Sequence, residues 1–230
     1  MPSRGKFIVI EGLDRSGKST QAERLLKRLG SELSVERVKL IKFPDRTTAI
    51  GKMIDAYLRS AADLDDHAIH LLFSANRWEV ASSIIADLKS GTTIICDRYA
   101  FSGIAFSLSK GTLPFDWCQY PDIGLPQPDL VLFFDISPEV AKVRGGYGEE
   151  RYEKEEMQRN VRTAFKDIIS KDQAGGGDDQ GVRVKWVEID AGKSMDDVTT
   201  DVWRQVDWIL KADGTLDIGK LWVDMLKSAA

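Results

Sequence analysis

Gly12-Leu13-Asp14-Arg15-Ser16-Gly17-Lys18-Ser19 fits G-x-x-x-x-G-K-[ST], directly after an apolar run and at the opening of a helical pattern. Glycines here let the backbone fold tightly around an anion. The N–H groups of the turn and the N-terminus of the helix supply the partial positive charge that cradles phosphates. Lys18 is placed to reach the outer phosphates of a nucleotide, and the Ser19 hydroxyl to ligate Mg²⁺.

Such a cradle settles the phosphoryl donor and leaves water, a hydroxyl or a phosphate as acceptor. The Asn-Lys-x-Asp pattern that reads guanine is missing from the chain, which disfavours a regulatory GTPase. A hydroxyl acceptor needs a general base. A phosphate acceptor is already an oxyanion, since its second pKa is about 6. Its difficulty is repulsion between two polyanions, and the remedy is fixed guanidiniums that stay charged and bind phosphate bidentately. Arg15 lies inside the cradle, Arg46 just past the second strand, and Arg98 at the end of the third. In an open α/β sheet the carboxyl ends of the strands are where ligands bind. Asp97 ends its apolar strand as an acid able to hold Mg²⁺ or its waters.

The elements that must position these residues read as alternating strands and helices. Phe7 to Ile10 is a solid apolar run, hence a strand buried on both faces. Apolar residues at helical spacing over Gln21–Leu29, closed by Gly30, predict the first helix. Val35 to Phe43 reads as the second strand, stopped by Pro44. Ile50, Met53, Ile54, Tyr57 and Leu58 mark a helix, and a longer one runs from about Asp66 to Leu88. Thr92–Asp97, Leu130–Ile136 and Val182–Ile189 are further strands. Gly111 to Pro128 holds four of the seven prolines and reads as a loop with room for a short helical turn. Helices are expected around Glu139–Val143, Glu153–Lys171 and Met195–Leu210, with a glycine-rich break from Arg144 to Gly148, a flexible loop from Ala174 to Gly181 and a short docked helix in the tail after Lys211. This order predicts a doubly wound, five-stranded parallel α/β sheet with right-handed crossovers. No linker divides it, so one domain over 1–230 is expected.

Composition narrows the classes further. Lys and Arg number 32 against 36 Asp and Glu, a formal charge of −4 that disfavours nucleic acid as the main partner. At 43% hydrophobic and 30% charged residues the chain has globular composition. Two cysteines, Cys96 and Cys118, cannot build a disulfide framework and suit a reducing compartment. No apolar run is long enough to span a bilayer, and the start shows no cleavage signature, so secreted and membrane classes are set aside as expectations. His67 and His70 read as helix-surface or packing residues, and Cys96 as a buried strand residue.

Several segments carry a resemblance together: Gly12 to Thr20, Phe43-Pro44-Asp45-Arg46-Thr47-Thr48-x-x-Gly51, Phe73-Ser74-Ala75-Asn76-Arg77-Trp78-Glu79, Asp97-Arg98-Tyr99-x-x-Ser102-Gly103-x-Ala105-Phe106 and Gly148-Glu149-Glu150-Arg151-Tyr152-Glu153. In this order, from Phe7 to about Leu210, they resemble the thymidylate kinase family, and most of all its eukaryotic form, which puts arginine in the P-loop. The resemblance implies ATP-dependent phosphorylation of dTMP to dTDP on a P-loop nucleoside-monophosphate-kinase fold, with Mg²⁺. It implies an ATP site of Gly12, Asp14, Arg15, Ser16, Gly17, Lys18, Ser19, Thr20, Arg144, Ala191 and Gly192, the last two near the adenine. It implies a dTMP site of Asp14, Phe43, Arg46, Leu58, Phe73, Arg77, Arg98, Ser102, Gly103, Phe106, Glu150 and Tyr152. In this pattern Phe73 stacks on the thymine and Arg77, four residues on and hence on the same helix face, hydrogen-bonds the base. Asp14 meets the 3′-OH or the Mg²⁺ shell, and Tyr152 packs where a ribose 2′-OH would go. Arg46 and Arg98 hold the acceptor phosphate, and Ser19 and Asp97 the metal.

The catalytic set is then Arg15, Lys18, Asp14 and Arg98. The bacterial form carries its catalytic arginine in the lid. Here the lid, about 144–152, is acidic at that place, so the transition-state role goes to Arg15, with Arg144 and Arg151 left as residues that could also reach ATP. The resemblance further implies a homodimer, in the cytoplasm with a nuclear fraction left open. Three alternatives stand beside it: a deoxynucleoside kinase, for which Asp45 is the candidate base; another nucleoside-monophosphate kinase; and a non-catalytic nucleotide-binding protein. The tail of about 211–230 and the Ala174–Gly181 loop have no counterpart in the family pattern.

Overall fold

A computed structural model describes residues 4–144, 151–152, 154–174, 184–212 and 217–227. Five strands form one parallel sheet in the order β2-β3-β1-β4-β5: β1 (Phe7–Gly12), β2 (Val38–Lys42), β3 (Thr93–Asp97), β4 (Leu130–Asp135) and β5 (Trp186–Asp190). The central strands β1, β3 and β4 are buried at every residue, including the polar residues at their ends, as strands covered on both faces are. Register brings Ile10 opposite Asp97 and Gly12 opposite Phe134, so the carboxyl ends of β1, β3 and β4 meet at one rim.

The helices are α1 (Lys18–Leu33), α2 (Ala49–Leu58), α3 (Asp66–Lys89), α4 (Ala100–Leu108), α5 (Phe115–Gln119), α6 (Pro138–Lys142), α7 (Glu155–Ala174), α8 (Met195–Lys211) and α9 (Asp224–Lys227). Right-handed crossovers put α1 on one face of the sheet, where it meets α8, and α3, α4 and α7 on the other, where they pack together. The chain leaves β1 toward one edge and β3 toward the opposite one. This is the switch that opens a crevice above β1.

Three expected elements shift at an edge, and one helix was not expected. Gly30 does not close α1, which runs on to Leu33; an interior glycine costs only about 1 kcal/mol against alanine. Val35–Arg37 is a 3₁₀ turn rather than the start of β2. Strand β5 begins at Trp186 rather than at the expected Val182, which lies outside the described residues; of the expected Ala174–Gly181 loop, Ala174 ends α7 and residues 175–181 lie outside the described residues. Helix α4 is an addition to the expected elements: Ala100–Leu108 shows no amphipathic stripe from which periodicity could announce it, and seven of its nine residues are buried. The tail docks as expected: Trp222 lies edge-on to Phe101 of α4, and Leu221 exchanges backbone hydrogen bonds with Gly124 and Leu125.

Candidate active site

Strand β1 ends in Gly12 at φ 142, where an added Cβ would lie 2.5 Å from the Phe134 carbonyl oxygen of the paired strand. Only glycine lets the chain leave the sheet this closely. The turn continues through Arg15 and Gly17, at φ 61 and 88, and delivers Lys18 as the first residue of α1. Lys18 Nζ donates to the Leu13 carbonyl and, at 3.3 Å, to Ser16 Oγ. Burial, with a smaller push from Arg98, brings its pKa down to about 7. Phosphate oxygens beside it would restore the charge.

Ser19 Oγ donates to Asp97 Oδ2 at 2.5 Å, joining the cradle to the end of β3. Lys42 Nζ lies 3.7 Å from the same oxygen. Asp97 Oδ1 is buried with no hydrogen-bond partner among the described residues. A buried carboxylate oxygen left without a donor is costly, and a divalent cation or its water fits that position. Ser19 and Asp97 are therefore the residues suited to hold Mg²⁺.

Arg98 sits at φ 69 in the turn from β3 to α4. Its Nη1 donates to the Gly12 carbonyl at 2.9 Å and to Ser102 Oγ at 3.2 Å, and its Nη2 to Asp14 Oδ1 at 2.5 Å. The other Asp14 oxygen accepts from Gln158 Nε2 of α7 at 2.7 Å, and Gln158 Oε1 accepts the Asp14 N–H at 3.0 Å. Beneath this group Glu11 is fully buried and takes the N–H groups of Tyr99 and Ser102 at 2.9 and 3.1 Å, and the Ser102 hydroxyl, so it closes the first turn of α4. Burial raises its pKa. Neither Glu11 nor Gln158 was singled out by sequence: Glu11 reads as the end of a strand, and Gln158 lies 144 residues from its partner.

A cleft of about 410 Å³ opens over this rim. On one side it is lined by Asp14, Arg15, Gly17, Lys18, Ser19, Thr20 and Asp97. On the other it is lined by Phe43, Arg46, Leu58, Phe73, Arg77, Ser102, Gly103, Phe106 and Tyr152, with Arg98 between. Phe106 and Tyr152 stand 5.3 Å apart, centroid to centroid, with Arg98 over Phe106 at 5.2 Å. Burial raises the Tyr152 phenol well above its ordinary pKa, so it stays neutral. Arg46 reaches Asp55 at 2.7 Å. Arg77, which residue type alone would leave in water, is only 2% exposed and ion-paired with Asp122, another residue the sequence reading passed over.

Gly12 and Ser16 support the cradle from behind, through the carbonyl that Arg98 holds and the hydroxyl that Lys18 meets. Ala191 and Gly192 do not line this cleft. They are tied to it by Arg144, whose Nη2 donates to the Ala191 carbonyl at 2.5 Å and Nη1 to the Arg15 carbonyl at 3.4 Å. Arg151 turns the other way and binds the end of α2, donating to the Tyr57 carbonyl at 3.1 Å and to Asp63 at 2.5 Å. Of the two lid arginines, only Arg144 stands at the cradle. Glu150, with the rest of 145–150, lies outside the described residues.

Asp45, the base an alcohol acceptor would need, folds back onto its own turn: its Oδ1 accepts from Thr47 N at 2.9 Å and Thr47 Oγ1 at 2.6 Å. His70 is buried between Ser107 Oγ at 2.7 Å and the Cys118 carbonyl at 2.9 Å, and burial lowers its pKa to about 4. It packs; it does not titrate in the working range. Cys96 is buried in β3.

A family model described as "Thymidylate kinase" matches residues 10–202. The chain is 51% identical over 200 residues to the thymidylate kinase of Schizosaccharomyces pombe, covering 87% of this chain and 90% of that one. It is 41% identical over 219 residues to that of Homo sapiens, covering 95% and 98%. The solved thymidylate kinase of Candida albicans superposes with a TM-score of 0.79 at 39% identity, covering 95% of this chain and all of that one.

Proposed function

The chain belongs to the thymidylate kinase family and is a nucleotide-binding phosphotransferase that phosphorylates dTMP; we propose that it does so by moving the γ-phosphoryl of ATP between two arms of charge set in one cleft. The observation that carries this division of labour is the single cleft itself. A phosphate cradle lies at one end and a Phe73/Arg77 corner at the other, with Arg98 between them.

The γ-phosphoryl sits against Lys18 and Arg15, which neutralise charge on the transferring group. Arg98 and Arg46 align the acceptor phosphate, whose oxygen attacks as the bond to the ADP leaving oxygen breaks. No proton has to be removed, which is consistent with Asp45 being engaged by its own turn. Asp14 orients Arg98 and faces the sugar 3′-OH. Phe73 carries the base, and the neutral Tyr152 fills the space of a 2′-OH. Mg²⁺ held by Ser19 and Asp97 supplies charge neutralisation of the donor phosphates when bound. Arg144, bridging Arg15 and Ala191, borders the adenine side, while residues 145–150 of the expected lid lie outside the described residues.

A homodimer through α3 is part of this reading. Supporting it are two large apolar side chains left exposed seven residues apart, and so on one face of α3: Leu71 at 47% and Trp78 at 42%. The five strands share one sheet and one main core, with a smaller cluster of Ile54, Tyr57, Leu58, Ile69 and Tyr152 beside it, which supports a single domain. Two free buried cysteines suit a reducing, cytoplasmic setting. Among the described residues no helix is long and apolar enough to cross a membrane.

A coupled ADP-release assay with ATP and a panel of acceptors tests the assignment. dTMP should be turned over and thymidine should not. Turnover of thymidine alone would replace this reading with a deoxynucleoside kinase, and tight ATP binding with no turnover of any acceptor would replace it with a binding protein.

A further inference from the structure

Arg77 and Asp122 form an ion pair with side-chain exposures of 2% and 0%. Nε donates to Oδ1 at 3.1 Å and Nη2 to Oδ2 at 2.6 Å. The carboxylate is itself held: Ser74 Oγ donates to its Oδ1 at 2.8 Å. The segment that carries it is clamped from both sides. Trp78 Nε1 holds the Pro121 carbonyl at 2.8 Å, and the docked tail accepts the Gly124 N–H through Leu221 at 2.8 Å. On its other side the guanidinium lies against α4, where a Cβ on Gly103 would be 2.8 Å from Nη2 and 3.0 Å from Nη1.

Two of the three guanidinium nitrogens are thus spoken for by Asp122. Nη1 makes no hydrogen bond to a described residue, and Arg77 borders the cleft beside Phe73 and Gly103. A buried ion pair gives no net stability over a well-packed apolar pair of similar volume, so its presence at a ligand cleft calls for a different role. A guanidinium only donates and does not lose its proton at any working pH. Whatever base edge meets Nη1 must therefore accept. A pyrimidine with a 4-oxo group presents an acceptor there; a 4-amino group presents N–H against N–H and leaves buried donors without partners, which a site of this kind rejects strongly.

We propose that Asp122, which does not itself touch substrate, is the positioning residue that fixes the donor-only guanidinium of Arg77 in place and so sets the preference for 4-oxo over 4-amino pyrimidine monophosphates. This rests on the reading above that the acceptor base lies on Phe73. It predicts an effect on recognition and little on the chemical step.

The test is steady-state kinetics of the full-length Asp122→Asn variant with dTMP and with dCMP at saturating ATP. KM for dTMP should rise about tenfold or more while kcat stays within about threefold, and the dTMP:dCMP ratio of kcat/KM should fall at least about tenfold. Should that variant not fold, Ser74→Ala removes only the hydroxyl that steadies the carboxylate and should move the same two quantities the same way by about threefold. An unchanged dTMP:dCMP ratio in the folded variant overturns the proposal, including the case in which activity on both substrates drops equally, as a merely structural role would give. Parent protein that turns over other monophosphates but not dTMP would instead bring down the dTMP reading, and this proposal with it.

Discussion

Arg98 Nη2 donates to Asp14 Oδ1 at 2.5 Å across 84 residues of sequence, so the arginine assigned to the acceptor phosphate is oriented by a carboxylate of the donor cradle. Gln158 holds the far oxygen of that carboxylate, and Ser102, itself fixed by Glu11, holds the other arm of the guanidinium. Donor and acceptor sites are thus mechanically one object.

Asp14→Asn should therefore harm both. The amide keeps the shape but removes the charge that steadies Arg98, so kcat/KM for dTMP should fall by about 10² to 10³, with kcat contributing to the loss. Steady-state kinetics on dTMP check this, and a change confined to the KM for ATP would contradict the coupling.

Arg15→Ala tests the division of roles within the cradle. If Arg15 meets charge that develops only in transfer, kcat should drop by about 10³ or more while dTMP affinity by calorimetry stays nearly intact. Unchanged turnover would take Arg15 out of the mechanism.

Lys18 gives a pH signature. Its pKa is about 7 in the free protein because burial disfavours the ammonium, against 10.5 ordinarily. The shift is downward, so the folded chain binds fewer protons than the unfolded one between those two values, and this group costs stability below pH 7 and progressively less as pH rises toward 10.5. Phosphate anions pull the pKa back up. At pH 8 ATP binding should then draw in close to one proton, about 0.9. Titration calorimetry in buffers of different ionisation enthalpy measures that uptake, and Lys18→Met should abolish it. Equal heats in all buffers for the parent would show that Lys18 is already charged.

Gly103→Ala places a methyl against a guanidinium that Asp122 does not let move, 2.8 Å from Nη2. KM for dTMP should rise about tenfold or more, with the melting temperature lowered by a few degrees at most. Thermal denaturation beside kinetics separates the two effects. Wild-type KM would mean that Arg77 has room to retreat.

The chemistry of the donor end was legible from residue types because it is local. Gly12 to Ser19 are consecutive, and the positive-φ backbone at Gly12 and Gly17, just before the helix start, is what glycine permits; of these residues Arg15 alone takes a positive φ without being glycine. The parallel sheet was legible too, since β1, β3 and β4 carry apolar runs at their centres that suit a sheet covered on both faces. The base-binding corner of the acceptor end was readable only through its likeness to a family. Taken one residue at a time, Phe73 would be core and Arg77 solvent-exposed.

Sequence alone thus determined which groups could bind and neutralise phosphate, and that strand ends would carry them. Tertiary structure decided what those groups lean on. Glu11 under α4, Gln158 on Asp14, Asp122 on Arg77 and Arg144 on Ala191 are contacts between elements far apart in the chain. Periodicity reports which face of an element is buried. It cannot report which charged side chain will be carried into that burial with a partner, because that depends on where the other strands and helices end once the sheet has closed its order.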